Sequence, residues 1–83
     1  MTRLETETEA FWDIAAGARW ALRWGDARDR VIALHALGEF AVATHRQTLK
    51  GRALAMLGDV AAHHGSRAVR AAAALTISGV AQG

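Results

Sequence analysis

The sequence predicts an all-α protein: four helices, joined by very short connections and packed as a compact bundle or a short stack. Three observations carry that expectation. Proline is absent and alanine is abundant, which favours helix throughout. Apolar residues recur every three or four positions in four successive stretches, the spacing of one helix face. The pattern breaks at Gly25-Asp26, between His45 and Thr48, and at Gly65-Ser66, where small and polar residues stop and start helices. The 83 residues form a single domain, 1–83.

The first helix is expected over about residues 4–24. Phe11, Ile14, Ala15, Ala18 and Leu22 fall on one face. Thr2 or Thr6 is the candidate cap, and Glu5, Glu7 and Glu9 suit the positive end of the helix dipole. Gly25 is the expected stop and Asp26 the next cap. The second helix, about 27–45, presents Ala27, Val31, Leu34, Leu37, Gly38 and Ala41 on one side and Ile32, Ala36 and Phe40 on another. A helix apolar on two sides is usually buried on two sides. The third, about 48–64, aligns Leu49, Ala53, Met56, Leu57, Val60 and His64, with Gly65 as its stop. Ser66 caps the fourth, 66–82, whose inner face is Val69, Ala72, Ala73, Thr76 and Val80. Such short connections make consecutive helices neighbours.

A chain this small buries only about 60% of its unfolded surface. It contains no cysteine, so no disulfide can staple it. Tight helix packing, a bound partner or self-association must supply the stability. With 52% hydrophobic residues, disorder is not expected. Five glycines (17, 38, 51, 58 and 79) lie inside predicted helices, each costing about 1 kcal/mol relative to alanine. Close backbone approach is the compensation expected of them, with Gly38 and Gly58 as the crossing points.

Residues 33–41, ALHALGEFA, echo residues 53–61, ALAMLGDVA, at an offset of 20. Ala33/Ala53, Leu34/Leu54, Leu37/Leu57, Gly38/Gly58 and Ala41/Ala61 are identical, and a weaker third copy runs over 73–81. Twenty residues make one helix and a tight turn, so each copy would be one helix of a stack. Alanine-rich helices also produce such matches by chance. DARDRVIALHALGEFA and SRAVRAAAALTISGVA resemble helices of HEAT-type repeats, which often show a small polar cap, a valine-arginine pair, an alanine-rich run and a Leu-Gly. The resemblance covers about residues 26–82 and departs from the family in lacking turn prolines. It implies a non-enzymatic scaffold that binds protein or nucleic acid along a helical surface, and it names no ligand.

Trp20 and Trp24 lie opposite the Phe11-Leu22 face of the first helix, while Trp12 sits to one side over Arg19 and Arg23. Two readings follow. Trp20 and Trp24 pack on Ile32, Ala36 and Phe40 as a second core layer, or they form an open surface. Tryptophan and arginine dominate binding hot spots, and contiguous exposed apolar surface marks an interaction site. The candidate partner-binding set is therefore Trp12, Trp20, Arg23, Trp24, Ile32 and Phe40. The expected partner is another protein or a second copy, as a dimer.

The second half of the chain is basic: Arg46, Lys50, Arg52, Arg67 and Arg70 face only Asp59. These residues either form a solvated face or contact phosphates in a nucleic-acid-binding regulator, although no helix carries a row of polar base readers. His35, His45, His63 and His64 do not converge as metal ligands must. They suit helix ends, and a pH-dependent contact through His63 or His64 is their functional alternative. No nucleophile-base pair, convincing carboxylate pair or glycine-rich phosphate loop is present, so neither enzymatic activity nor a cofactor or metal is expected. The start, MTRLETETEAF, is acidic with no apolar run behind a basic segment. AVRAAAALTISGVA is short of the ~20 residues that cross a bilayer. A cytoplasmic protein with no membrane contact is expected. Small helical proteins of this kind include adaptors, assembly subunits and inhibitors of larger machines such as anti-CRISPR proteins.

Overall fold

A computed structural model describes the backbone of residues 3–82 and side chains from residue 6 to residue 82. Four α-helices account for nearly all of it: α1 Arg3–Trp24, α2 Ala27–Ala43, α3 Gln47–His63 and α4 Arg67–Gln82. The all-α expectation holds. Thr2, one of the two caps expected for α1, lies outside the described residues. Thr6 is inside the helix, so it cannot be the cap.

The 20-residue offset is built into the helices. α2, α3 and α4 start at Ala27, Gln47 and Arg67, each 20 residues after the last. The turns after α2 and α3 share one construction. Thr44 and His64 are both extended, with ψ of 140° and 142°. Their N–H groups donate to Phe40 O at 2.9 Å and Val60 O at 3.1 Å. Thr44 Oγ1 then accepts the Arg46 N–H at 3.2 Å, and His64 Nδ1 accepts the Ser66 N–H at 3.0 Å. Gly25 and Gly65, the expected stops of α1 and α3, do not end them in the left-handed conformation of a glycine cap, because no described glycine has a positive φ. Gly25 is required for space instead. A Cβ there would lie 2.7 Å from both Ala21 O and Asp29 Cβ.

The start signals read from sequence are present. Asp26 Oδ1 accepts the Asp29 N–H at 2.8 Å while Asp29 Oδ2 accepts the Asp26 N–H at 3.2 Å, a reciprocal capping box at the head of α2. Ser66 Oγ accepts the Val69 N–H at 3.3 Å. Arg46, at the head of α3, provides no side-chain cap.

Each helix packs on the next and on the next but one, and among the described residues α1 and α4 do not touch. The helices alternate in direction. Glu7 near the start of α1 meets the α2–α3 turn, whereas Leu22 near its end meets His64 at the end of α3, so α1 and α3 run parallel. α2 and α4 are parallel as well, with Gly38 against Thr76. The shortest dimension of the molecule, 18 Å, is that of two stacked helix layers. α2 is central, meeting all three other helices.

The core is thin and rich in alanine. Ala15, Ala41, Ala53 and Ala73 are wholly buried, and Leu34, Leu37 and Leu57 are the largest fully buried side chains. Small side chains let helix axes approach, which compensates for the modest apolar volume. On α2 the expected inner face shifts. Ala27 and Val31 are exposed, and Ala33 takes a buried place. The α2–α4 approach is centred on Gly38, two turns beyond Val31, where a Cβ would come within 2.5 Å of Thr76 Cγ2. Gly38 is thus a crossing point as expected. Gly58 is not, for a Cβ there would meet nothing within 4 Å. The face of α2 that bears Gly38 is covered by the helix two places later, and α3 has no helix two places later.

Candidate partner-binding surface

The outward side of α1 follows from its amphipathic pattern. Phe11, Ala15, Ala18 and Ala21 are buried against α2 and α3. Trp12, Trp20 and Trp24 therefore point elsewhere, and they are 46%, 60% and 67% exposed. Trp20 and Trp24 are not enclosed by the chain's own side chains. Ile32, offered as their packing partner, is itself 57% exposed.

The six residues grouped from sequence fall into three places. Trp20 and Ile32 line opposite sides of a shallow groove between α1 and α2, about 300 Å³ in volume, with Asp13 and Asp29 beside them. Trp24 lies at the end of α1 beneath Arg23, whose guanidinium carbon is 5.0 Å from the ring centroid. Trp12 faces the other way. Its ring meets Phe11 edge-on at 5.2 Å, and Arg52 of α3 lies 5.7 Å above it. Phe40 is only half-exposed and packs against Phe11 at 5.6 Å, so it supports the interior rather than the Trp20 surface.

The two indole–arginine pairs are cation–π contacts. Each holds a long side chain over an aromatic plate. The exposed plates are therefore partly ordered before any partner arrives, which lowers the entropy lost on binding.

The basic residues of the second half do not form one face. Arg46 Nη1 donates to Thr8 Oγ1 at 2.9 Å, and Arg52 is drawn to Trp12. Arg67 is exposed at the other end, and Arg70 Nη1 donates to His64 O at 2.6 Å. Lys50 is half-buried near the start of α3. The two groups are separated by the length of α3, 17 residues or roughly 25 Å.

Polar ties secure α1 at both ends. Glu7 Oε1 accepts the His45 N–H at 2.9 Å and the Thr44 hydroxyl at 3.4 Å. At the far end His64 Nδ1 is already an acceptor, so its Nε2 carries the proton and donates to Leu22 O at 2.8 Å. His64 is thus a structural link that satisfies a carbonyl in the last turn of another helix. His35 pairs with Glu39 at 3.0 Å on the surface. His63 is exposed and lines a second groove, between α1 and α3. No three histidine or acidic side chains gather as a metal site among the described residues, and none of the described helices is long and apolar enough to cross a membrane.

The α1–α3 groove, whose walls carry Arg19, Arg23, Met56 and Asp59, is not among the sites expected from the residues. The i, i+4 pair Arg19 and Arg23 was its available signal. No family model, curated protein or solved structure matches the chain.

Proposed function

We propose that this protein is a small non-enzymatic interaction module that binds another protein, or a second copy of itself, through the outer surface of α1. One observation carries the reading: Trp20 and Trp24 remain 60% and 67% exposed in a folded chain. Isolated exposed apolar residues are ordinary, but two exposed indoles one turn apart on α1, with the exposed Ile32 across a groove from Trp20, are apolar surface of the kind that marks an interface. Arg23 over Trp24 adds the side-chain types that concentrate binding energy. An inhibitor or adaptor role, docking this surface on a larger assembly, is the form the reading takes. A nucleic-acid-binding role would draw on Arg46, Lys50, Arg52, Arg67 and Arg70, and the separation of these residues between two ends makes it the lesser reading.

The test is the double variant Trp20→Ala/Trp24→Ala, studied by circular dichroism and by sedimentation over a concentration series. Its helical signal and melting temperature should stay close to those of the parent chain, while self-association or partner binding disappears. Loss of the helical signal would return the two rings to the core. Unchanged association would remove this surface from the interface.

A further inference from the structure

The groove between α1 and α3 lies beside the Trp24–Arg23 pair, and Arg23 belongs to both. Its volume is about 820 Å³. Leu22, Met56 and Val60 are half-buried residues on its lining and pack against the core. Methionine in such a position adapts to the shape of what it meets. Arg19 and Arg23 stand on α1, one helical turn apart, both exposed. Among the described residues no carboxylate lies within ion-pairing distance of either; the one contact of a carboxylate with a basic side chain at that range joins Glu39 to His35, elsewhere. Asp59 is the one acidic residue on the lining. The link from His64 to Leu22 O holds the two helices at this end of the groove. An apolar floor is therefore bordered by two guanidinium groups without a carboxylate partner, Arg23 lying over the Trp24 ring, and they are spaced as the carboxylates of an acidic helix are spaced at i and i+4.

We infer that this groove docks an acidic amphipathic helix of a partner protein, with apolar side chains on the Leu22–Met56–Val60 floor and two carboxylates one turn apart on Arg19 and Arg23. The inference rests on the interaction-module reading and specifies the chemistry of its partner. The lining on α3 runs from Ala55 to His63, about 12 Å of helix, so the contact spans some two turns. Arginine suits the role because its planar donors grip a carboxylate in two places. Electrostatic complementarity of this sort selects among partners and fixes their register.

The experiment selects from a displayed library of helix-forming random peptides against the full chain. It then measures the enriched peptides on three proteins: the parent, Arg19→Glu/Arg23→Glu and Trp20→Ala/Trp24→Ala, each checked for helical content. The expected result is a family with two acidic residues four positions apart beside leucine or phenylalanine. Binding should fall by about tenfold or more on arginine reversal and recover when the two acids of the peptide are changed to lysine. Basic or neutral peptides, no enrichment, or indifference to arginine reversal would overturn the inference. If indifference to arginine reversal comes with loss in the tryptophan variant, the groove is wrong and the α1 surface stands. Loss in the arginine variant alone keeps the groove and places Trp20 and Trp24 outside the peptide's contact. A single-stranded oligonucleotide that binds with the same arginine dependence and displaces the peptides would make the groove a phosphate site and overturn the helix.

Discussion

Gly38 in α2 and Gly58 in α3 sit in the same sequence setting and in opposite surroundings. Both follow Ala-Leu-x-x-Leu, and both are followed by an acidic residue, an apolar residue and alanine. A side-chain carbon on Gly38 would meet the Thr76 methyl, whereas one on Gly58 would enter open space. Leu34 and Ala41 are buried in the first copy, and their counterparts Leu54 and Ala61 are half-buried in the second. Ala74 and Ala81, in the third, are exposed. Ala33, Ala53 and Ala73 by contrast are buried in all three. One side of the repeat thus makes the helix a member of the stack at every position. The other matters only where a further helix arrives. Place in the stack, more than residue type, sets what each of these side chains contributes.

The largest test of that contrast is Leu34→Ala against Leu54→Ala. Emptying the Leu34 site should cost about 2–5 kcal/mol, a large fraction of a typical stability of about 5–15 kcal/mol. The half-buried Leu54 should cost roughly half as much, since less area leaves water. Urea unfolding reads both, and equal losses would break the comparison. Next, Gly38→Ala should destabilise by about 1–3 kcal/mol through overpacking on Thr76, whose hydroxyl is bonded to Ala72 O and resists turning aside. The two turns give the third test. His64→Ala removes one bond to its own turn and one to α1, a loss of about 1–2 kcal/mol. Hydrogen exchange should quicken in the last turn of α1, with the start of that helix unaffected. The smallest effect is of opposite sign: Gly58→Ala should stabilise the chain by up to about 1 kcal/mol. Destabilisation there would show that something covers Gly58 after all.

Much of the architecture is legible in the residues. Asp26 and Ser66 announce helix starts because their short side chains satisfy the first free N–H groups, a local matter that needs no tertiary knowledge. The outward course of Trp20 and Trp24 is likewise a consequence of angle around one helix. Features that depend on neighbours are harder to read. The identical residues around Gly38 and Gly58 give no sign of which copy is covered. The helix stops look like glycine at Gly25 and Gly65, yet the turns after α2 and α3 are closed by bonds to Thr44 and His64 side chains. The basic set looks continuous along the chain, but Arg46 and Arg67 flank α3 and so lie at its opposite ends. Phe40 looks available for binding until Phe11 is placed beside it. The α1–α3 groove joins residues some forty positions apart, and only the parallel course of those two helices reveals it.

That the first and last helices do not touch among the described residues has a consequence for how the chain acquires its shape. Every contact between helices joins elements one or two places apart in order, so no step waits for the two ends to find each other. The entropy lost in closing loops stays small, and topologies of this kind assemble within microseconds to milliseconds. Growth can begin at the α2–α3 pair, whose helices each meet all of the others, and spread outward in both directions.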